Sequence, residues 1–170
     1  DGLLFSSGMA AVSTVALTFL RAGDHAVVQA EVYGGTHAFV RDLFARFGIE
    51  CTPAGTDAAA LTAAIRDRTR LIVLESPTNP LLSVVDLAAV AAVARERGVV
   101  TMIDNTFATP VHQNPLALGI DVVVHSGTKY LGGHSDLCCG VALTSVEHAE
   151  RVRSTALHLG GSLNATTCYL

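Results

Sequence analysis

The sequence predicts an α/β fold in which a mostly parallel sheet is flanked by helices. Apolar stretches typical of buried strands alternate along the chain with stretches whose apolar residues recur at helical spacing. Hydrophobic residues make up 50% of the 170 residues and charged residues only 15%, which favours strands covered on both faces. A chain of this length corresponds to one domain, at roughly 100–200 residues per domain.

The first half of the chain contains three predicted helices separated by two short strands. The helices cover residues 8–21, 36–47 and 57–65, and the strands cover 25–30 and 49–52. Gly23 and Gly48 end the first two helices, and Asp57 is a suitable N-cap for the third.

The second half repeats the alternation more regularly. Strands are predicted over residues 70–74, 99–104, 121–125 and 139–143, with helices over 86–97 and 145–157. Asp86 caps the first of these helices and Gly98 ends it. Alternating strands and helices imply right-handed crossovers, so the loops after the strand C-termini are the expected site of chemistry.

Composition and charge exclude several classes of protein. Eleven Lys and Arg against 15 Asp and Glu give a net charge of −4 with no basic run, which excludes nucleic-acid binding by bulk electrostatics. The longest apolar run, residues 87–94, is far shorter than the ~18–20 residues of a membrane span. The four cysteines match neither a disulfide framework nor a zinc site, which predicts buried, reduced thiols in a cytoplasmic protein.

Polar side chains follow three of the predicted strands. The segments are Ser76–Pro80, Asp104–Phe107 and His125–Asp136, and each releases hydroxyls, amides or an ionisable group where a strand ends. The carboxyl ends of parallel strands meet at one edge of a sheet, so these segments are expected to form one site.

Lys129 is the only lysine in the chain. One interpretation is an ordinary surface lysine, since lysine is mostly exposed in proteins. The other is an amine nucleophile whose pKa is lowered by burial and which forms a Schiff base. A phosphate-bearing Schiff-base cofactor requires an anion cradle, an acidic partner for a ring nitrogen and an aromatic plate.

Each requirement has a candidate, and each candidate has a plainer interpretation. Ser6–Ala10 opens the first helix and can bind a phosphate through backbone N–H groups, or it is simply a serine N-cap. Asp104 can pair with a pyridinium nitrogen, or cap a loop. Tyr33 can stack on a planar ring, or serve as a turn residue before two glycines.

Three segments in order resemble the Cys/Met-metabolism enzymes that use pyridoxal 5′-phosphate (PLP), a family that includes cystathionine γ-lyase, cystathionine γ-synthase and methionine γ-lyase. They are Asp104–Pro110 (DNTFATP), Gln113–Gly119 (QNPLALG) and Asp121–Asp136 (DVVVHSGTKYLGGHSD). The resemblance extends over essentially the whole chain. It implies the large domain of a fold type I, aspartate aminotransferase-like enzyme.

The resemblance also implies roles for individual residues. Lys129 would hold PLP as a Schiff base, Asp104 would pair with the pyridine nitrogen, and Tyr33 would stack on the ring and act as acid or base at the leaving group. The remaining cofactor contacts would be the backbone N–H groups of Gly8 and Met9 and the hydroxyls of Ser126 and Thr128 at the phosphate, Asn79 near the ring 3-oxygen, and Thr106 near the ring.

The implied reaction is elimination or replacement at a C–S or C–O bond of a sulfur-containing amino acid or an activated homoserine. Gly35 stands where methionine γ-lyases carry cysteine, which disfavours that member. Val32–Thr36 is more similar to the cystathionine γ-lyase and γ-synthase groups, although sulfhydrylases share it. The implied assembly is a homodimer or homotetramer whose active site is shared between subunits and takes a small amino-acid substrate.

Family members also have an N-terminal arm and a C-terminal domain that supplies an arginine for the substrate carboxylate. Residues 1–170 are therefore expected to be a PLP-binding large domain that is incomplete by itself. Two alternatives remain open: a non-catalytic PLP-binding or scaffolding remnant, and a lyase module of a larger multidomain enzyme. A Rossmann-type domain is disfavoured because the G-x-G-x-x-G motif is absent. A metal site from His125, His134 and Cys138 is disfavoured because it lacks a known ligand spacing.

Overall fold

Five neighbouring strands of a seven-stranded sheet pair in parallel and extend to one of its edges, as described from a computed structural model of residues 1–169. The strands are β1 (Gly2–Phe5), β2 (His25–Gln29), β3 (Glu50–Ala54), β4 (Thr69–Glu75), β5 (Val100–Asp104), β6 (Val122–Ser126) and β7 (Gly140–Thr144). Their order is β1-β7-β6-β5-β4-β2-β3, and β7 runs antiparallel to both of its neighbours, β1 and β6. The predicted mostly parallel α/β fold is confirmed.

Seven helices accompany the sheet in the described part of the chain: α1 (Gly8–Phe19), α2 (Gly34–Phe39), α3 (Ala58–Ala63), α4 (Leu87–Glu96), α5 (Thr109–His112), α6 (Val146–Leu159) and α7 (Ala165–Tyr169). Four of them begin at a side-chain N-cap, which accepts a hydrogen bond from the backbone N–H three residues further on. These caps are Ser7, Asp57, Asp86 and Ser145. Such caps satisfy backbone donors that have no partner within the helix. The predicted caps at Asp57 and Asp86 are confirmed.

Both faces of the sheet are covered by apolar side chains. One face packs against α1, α2 and α6, with Val15 and Met102 among its fully buried members. The other packs against α3 and α4, with Leu61 and Ile103 among its members. Consecutive residues of β6 alternate between the two clusters, as the two-residue period of a strand requires. Polar groups are thereby concentrated at the strand ends.

Several element boundaries differ from the sequence predictions. The helix predicted over 36–47 begins at Gly34, widens into a π-turn over Val40–Phe44 and tightens into a 3-10 turn over Ala45–Phe47. The third helix ends at Ala63, and α5 and α7 had not been predicted. Apolar periodicity identifies the helical segment but does not distinguish turn types within it.

The short strand β1 was missed by the sequence analysis. Its sequence, GLLF, shows no alternation of apolar and polar residue types, although exposed positions alternate with more buried ones in the structure, and its partner β7 lies at the other end of the chain. Phe5 of β1 and Ser126 of β6 both pair with Gly140 of β7. The start of α1 is consequently held beside the end of β6.

Within residues 1–169, no helix is both long enough and apolar enough to span a membrane.

Candidate cofactor and active site

A cavity of about 650 Å³ opens where β4, β5 and β6 end. It is lined by every residue to which the sequence analysis assigned a role: Gly8, Met9, Tyr33, Asn79, Asp104, Thr106, Ser126, Thr128 and Lys129. The expected convergence of strand-end loops therefore occurs. The individual roles remain predictions.

The first turn of α1 forms one wall of this cavity. The Ser7 hydroxyl accepts the N–H of Ala10 at 3.1 Å, whereas the N–H groups of Gly8 and Met9 have no acceptor within the helix. A Cβ added at Gly8 would lie 2.7 Å from the Cβ of Ser126, so glycine permits close approach of the helix to β6. Free N–H groups and the positive end of the helix dipole suit an anion here, next to the Ser126 side chain.

Asp104 ends β5 between the neighbouring strands β4 and β6. Its Oδ1 accepts the N–H of Thr106 at 3.0 Å and also the Thr106 hydroxyl proton. The Thr106 oxygen in turn accepts the N–H of Ser126 at 2.8 Å. Burial raises the pKa of Asp104, and the bonds from Thr106 oppose that shift. Because both bonds use Oδ1, Oδ2 is free of protein donors in the described chain and can accept from a cationic N–H.

Lys129 lies in the turn that follows β6. Its N–H donates to the Ser126 carbonyl at 3.0 Å, and its own carbonyl accepts the N–H of Gly133 at 2.8 Å. The side chain lines the cavity together with Asp104, but it is exposed. The burial that the nucleophile interpretation invoked is not seen at this side chain in the described residues, where the following loop, including Gly133, is exposed as well.

The Thr128 hydroxyl has partners in the protein already. It donates to the Cys139 carbonyl at 3.1 Å and accepts the Cys139 N–H at 3.0 Å. This pair of bonds fixes the loop after β6 to the start of β7. Ser126, whose side chain packs against Gly8, is the better placed of the two hydroxyls for an anion at α1.

Tyr33 immediately precedes α2 and is 46% exposed. Its ring lies over Gly35, where an added Cβ would be 2.5 Å from Tyr33 Cε1 and 3.1 Å from Met9 Sδ. The absence of a side chain at Gly35 thus creates the space that the ring occupies beside Met9. Tyr33 occupies the N-cap position of α2 and lines the cavity, and its stacking on a ring stays a prediction.

The sequence analysis missed Glu75, which also lines the cavity. Its side chain is buried and accepts the N–H groups of Tyr33 and Asn79. Burial is the main cause that raises the pKa of Glu75 to about 7, and the charge of Asp104 adds to it. Glu75 ends an apolar predicted strand just as Asp104 does, and this shared position was the signal that could have identified it.

Two aromatic side chains were missed as well. Phe107 and Tyr130 line the cavity and meet edge to face, with ring centroids 6.3 Å apart. They extend the wall of the cavity beyond Thr106 and Lys129.

Among the cysteines and histidines named in the predictions, Cys138 lines this cavity. Cys138 and Cys168 are exposed and Cys51 and Cys139 are half-buried, so the prediction of buried thiols is wrong, although all four are free. Cys138 lies in the exposed loop before β7, which explains its exposure. His125 is buried in β6, where burial lowers its pKa. Between residues 1 and 169, no group of three potential ligands has the arrangement of a metal site.

The family model described as "Cys/Met metabolism PLP-dependent enzyme" matches residues 1–170. The chain belongs to this family. The match confirms the predicted family and the predicted dependence on pyridoxal 5′-phosphate.

Curated relatives from this family are similar to the chain over most of its length. It is 48% identical over 147 residues to cystathionine gamma-synthase of Mycobacterium tuberculosis, covering 86% of this chain and 38% of that protein. It is 44% identical over 171 residues to cystathionine gamma-lyase of Bacillus subtilis, covering 99% and 45%. Cystathionine beta-lyase MetC of the same organism is 43% identical, covering 99% and 44%.

Solved structures show the same fold. Cystathionine gamma-lyase from Lactobacillus plantarum, complexed with L-serine, superposes with a TM-score of 0.95 at 41% identity and covers 99% of this chain and 44% of that one. The chain thus spans about two fifths of the length of the relatives that it matches.

Proposed function

We propose that the protein containing this chain is a PLP-dependent enzyme that eliminates or replaces a C–S or C–O bonded group on a sulfur-containing amino acid or an activated homoserine. The observation that supports this most directly is that Lys129, Asp104 and the first turn of α1 line one cavity. The similarity to proteins named cystathionine gamma-synthase, gamma-lyase and beta-lyase supports the reaction class.

The cavity has a suitable group for each part of the cofactor. The N–H groups of Gly8 and Met9 and the Ser126 hydroxyl would hold the phosphate, and Asp104 would accept a hydrogen bond from the protonated ring nitrogen. Lys129 would bind the aldehyde carbon covalently. When bound, PLP supplies an electron sink that stabilises negative charge at the substrate Cα.

Lys129 has two tasks in this proposal. Its Nζ would hold the cofactor, and as a free amine it would remove the proton from the substrate Cα. The exposed position of the side chain at the cavity gives the substrate amine access. Asp104 would keep the ring nitrogen protonated, and this ion pair would offset the cost of burying the carboxylate.

Tyr33, Asn79 and Thr106 would orient the reacting groups. The Tyr33 ring would stack on the cofactor while its hydroxyl exchanges a proton with the leaving group. The Asn79 side chain would approach the ring 3-oxygen, and Thr106 would orient the Asp104 carboxylate through its two bonds to Oδ1. The result is cleavage or replacement at Cβ or Cγ.

The test is made on the full-length protein. Borohydride reduction followed by peptide mapping should find a reduced cofactor adduct on Lys129, and Lys129→Ala should lack it. Lys129→Arg is the matched control, because it retains the positive charge but forms no Schiff base. An adduct that survives unchanged in Lys129→Ala would overturn the proposal.

Product analysis then tests the reaction class. Cystathionine, O-acetylhomoserine, methionine and cysteine are supplied separately to the loaded enzyme. An oxoacid and ammonia indicate elimination, and a new thioether indicates replacement. A fully loaded protein that transforms none of them would instead be the non-catalytic remnant considered above.

We also propose a homodimer or homotetramer with an active site shared between subunits. Exposed apolar side chains support an association surface, including Leu81 at 67%, Leu82 at 60% and Val84 at 70% exposure. Light scattering of the full-length protein should give a mass of two or four subunits. A monomer that is fully active would contradict this.

A cytoplasmic location is part of the proposal. The four free cysteines, two of them exposed, are compatible with a reducing compartment. Fractionation of cells that express the full-length protein should recover it with cytoplasmic markers.

A further inference from the structure

We propose that Glu75 is the positioning residue that holds Tyr33 and Asn79 at the cofactor cavity. This inference rests on the proposed function for its consequence but not for its geometry. Tyr33 and Asn79 are far apart along the chain, since Tyr33 follows β2 and Asn79 lies in the loop after β4. Chain connection alone therefore does not bring them together.

The Glu75 carboxylate bridges these two segments with one oxygen each. Oε2 accepts the Tyr33 N–H at 2.6 Å, and Oε1 accepts the Asn79 N–H at 2.8 Å. The Glu75 residue is only 5% exposed, so water competes poorly for either bond. Charge-assisted bonds of this kind are shorter and stronger than neutral ones. The carboxylate therefore sets the distance between the two backbone segments.

Glu75 is itself held by a second buried side chain, that of Gln29. The Gln29 Nε2 donates to the Glu75 carbonyl at 3.0 Å, and its Oε1 accepts the Glu75 N–H at 3.1 Å. The backbone register of β2 and β4 ends at the pair Val28 and Val73. Beyond that pair, the Gln29 carboxamide connects β2 to the backbone of Glu75. The bridge thus starts from a rigid point of the sheet.

A weaker tie connects the same two segments further from the sheet. The Thr78 hydroxyl donates to Glu31 at 3.3 Å and accepts the Ser83 N–H at 3.0 Å. The Thr78 hydroxyl bonds to Glu31 and Ser83 and to neither Tyr33 nor Asn79. The bonds that locate those two residues come from Glu75.

The neighbouring carboxylate links this bridge to the cofactor. Glu75 and Asp104 are paired in register on adjacent strands, and the charge of Asp104 disfavours ionisation of Glu75. A protonated ring nitrogen beside Asp104 would compensate that charge and favour the ionised form of Glu75, which both N–H donors require. Cofactor binding and the bridge should therefore strengthen each other.

Amide hydrogen exchange on the full-length protein without cofactor tests the bridge directly. In Glu75→Ala the amides of Tyr33 and Asn79 should each exchange about tenfold faster, the size expected for one lost hydrogen bond. In Glu75→Gln, which keeps one good acceptor, only one of the two should do so. The Val73 amide reports the sheet and should not change. Glu96→Gln, an exposed carboxylate on α4, is the matched control.

A cofactor titration of the same variants tests the consequence. The dissociation constant for PLP should rise about tenfold in Glu75→Ala and less in Glu75→Gln, whereas Glu96→Gln should match the parent. Unchanged exchange at Tyr33 and Asn79 in a folded Glu75→Ala would overturn the proposal, as would an unchanged affinity for PLP. If Glu75→Ala does not fold, Glu75→Gln decides, because one-sided acceleration is expected only of a two-armed bridge.

Failure here is distinguishable from failure of the proposed function. The exchange measurement needs no cofactor, whereas the adduct on Lys129 needs no intact bridge.

Discussion

Glu75 and Asp104 are opposite one another at the ends of β4 and β5, so two buried or half-buried carboxylates lie side by side at the cavity. Burial raises the pKa of both, that of Glu75 to about 7. The first turn of α1, with its free N–H groups, forms a separate part of the same cavity wall. A ligand with one cationic and one anionic end would therefore be oriented by these two parts of the cavity.

Asp104→Ala should leave the covalent link at Lys129 but slow exchange of the substrate Cα proton by orders of magnitude. Without a carboxylate partner the ring nitrogen loses its proton, and negative charge at Cα loses its main stabilisation. Proton exchange followed by NMR on the full-length protein measures this. Asp136→Ala, which removes an exposed carboxylate from the loop after β6, is the control. Full exchange activity in Asp104→Ala would exclude the proposed role.

Glu75 should make the folded chain less stable as the pH rises from about 4.5 to about 7. In that range the folded state keeps a proton on Glu75 that the unfolded state has released, so the unfolding free energy decreases with pH. The contribution is at most about 3.5 kcal/mol, given ~1.4 kcal/mol per pKa unit.

Urea unfolding of parent and Glu75→Gln at several pH values checks this. In Glu75→Gln the unfolding free energy should lack the part of its pH dependence that comes from Glu75. Subtracting the variant from the parent separates this part from the effect of His125, whose lowered pKa makes the unfolding free energy rise with pH. Glu96→Gln should keep the parent slope. Equal slopes for parent and Glu75→Gln would contradict the assignment.

Gly35→Ala should weaken cofactor binding by displacing the Tyr33 ring. The new Cβ would lie 2.5 Å from Tyr33 Cε1, a separation that forces the ring to move. Because Tyr33 is half exposed, the unfolding free energy should change by less than about 1 kcal/mol. Gly34→Ala is a matched control, since nothing lies within 4 Å of a Cβ there. Titration with PLP should separate the two variants, and identical affinities would refute the explanation.

Gly8→Ala should reduce the affinity for PLP more than that for pyridoxal, which lacks the phosphate. Its Cβ would lie 2.7 Å from the Cβ of Ser126 and 2.9 Å from the Cα, so α1 must shift away from β6 and the anion site must widen. Ser13→Ala on the same helix is the control. Equal losses for the two ligands would mean that this turn does not hold the phosphate.

Much of the candidate site could be predicted because it follows strand ends. Asp104, Ser126 and Lys129 come directly after apolar segments that only a buried strand explains, and parallel strands release their loops at one edge. The resemblance to a PLP family then implied which side chain meets which part of the cofactor. Glu75 also lies at a strand end but was missed, because the sequence analysis assigned the site to the loop after it.

The sequence by itself determined the α/β class, the family and many of the residues that line the cavity, since these depend on local periodicity and on an ordered run of motifs. Only the tertiary structure decided that β1 joins the sheet beside β7, that Lys129 is exposed, that Thr128 bonds to Cys139, and that Glu75 bridges Tyr33 and Asn79. Each of these is a contact or an exposure set by segments distant along the chain. Such pairings are fixed by packing and hydrogen-bond geometry in three dimensions, and they cannot be predicted from a local sequence pattern.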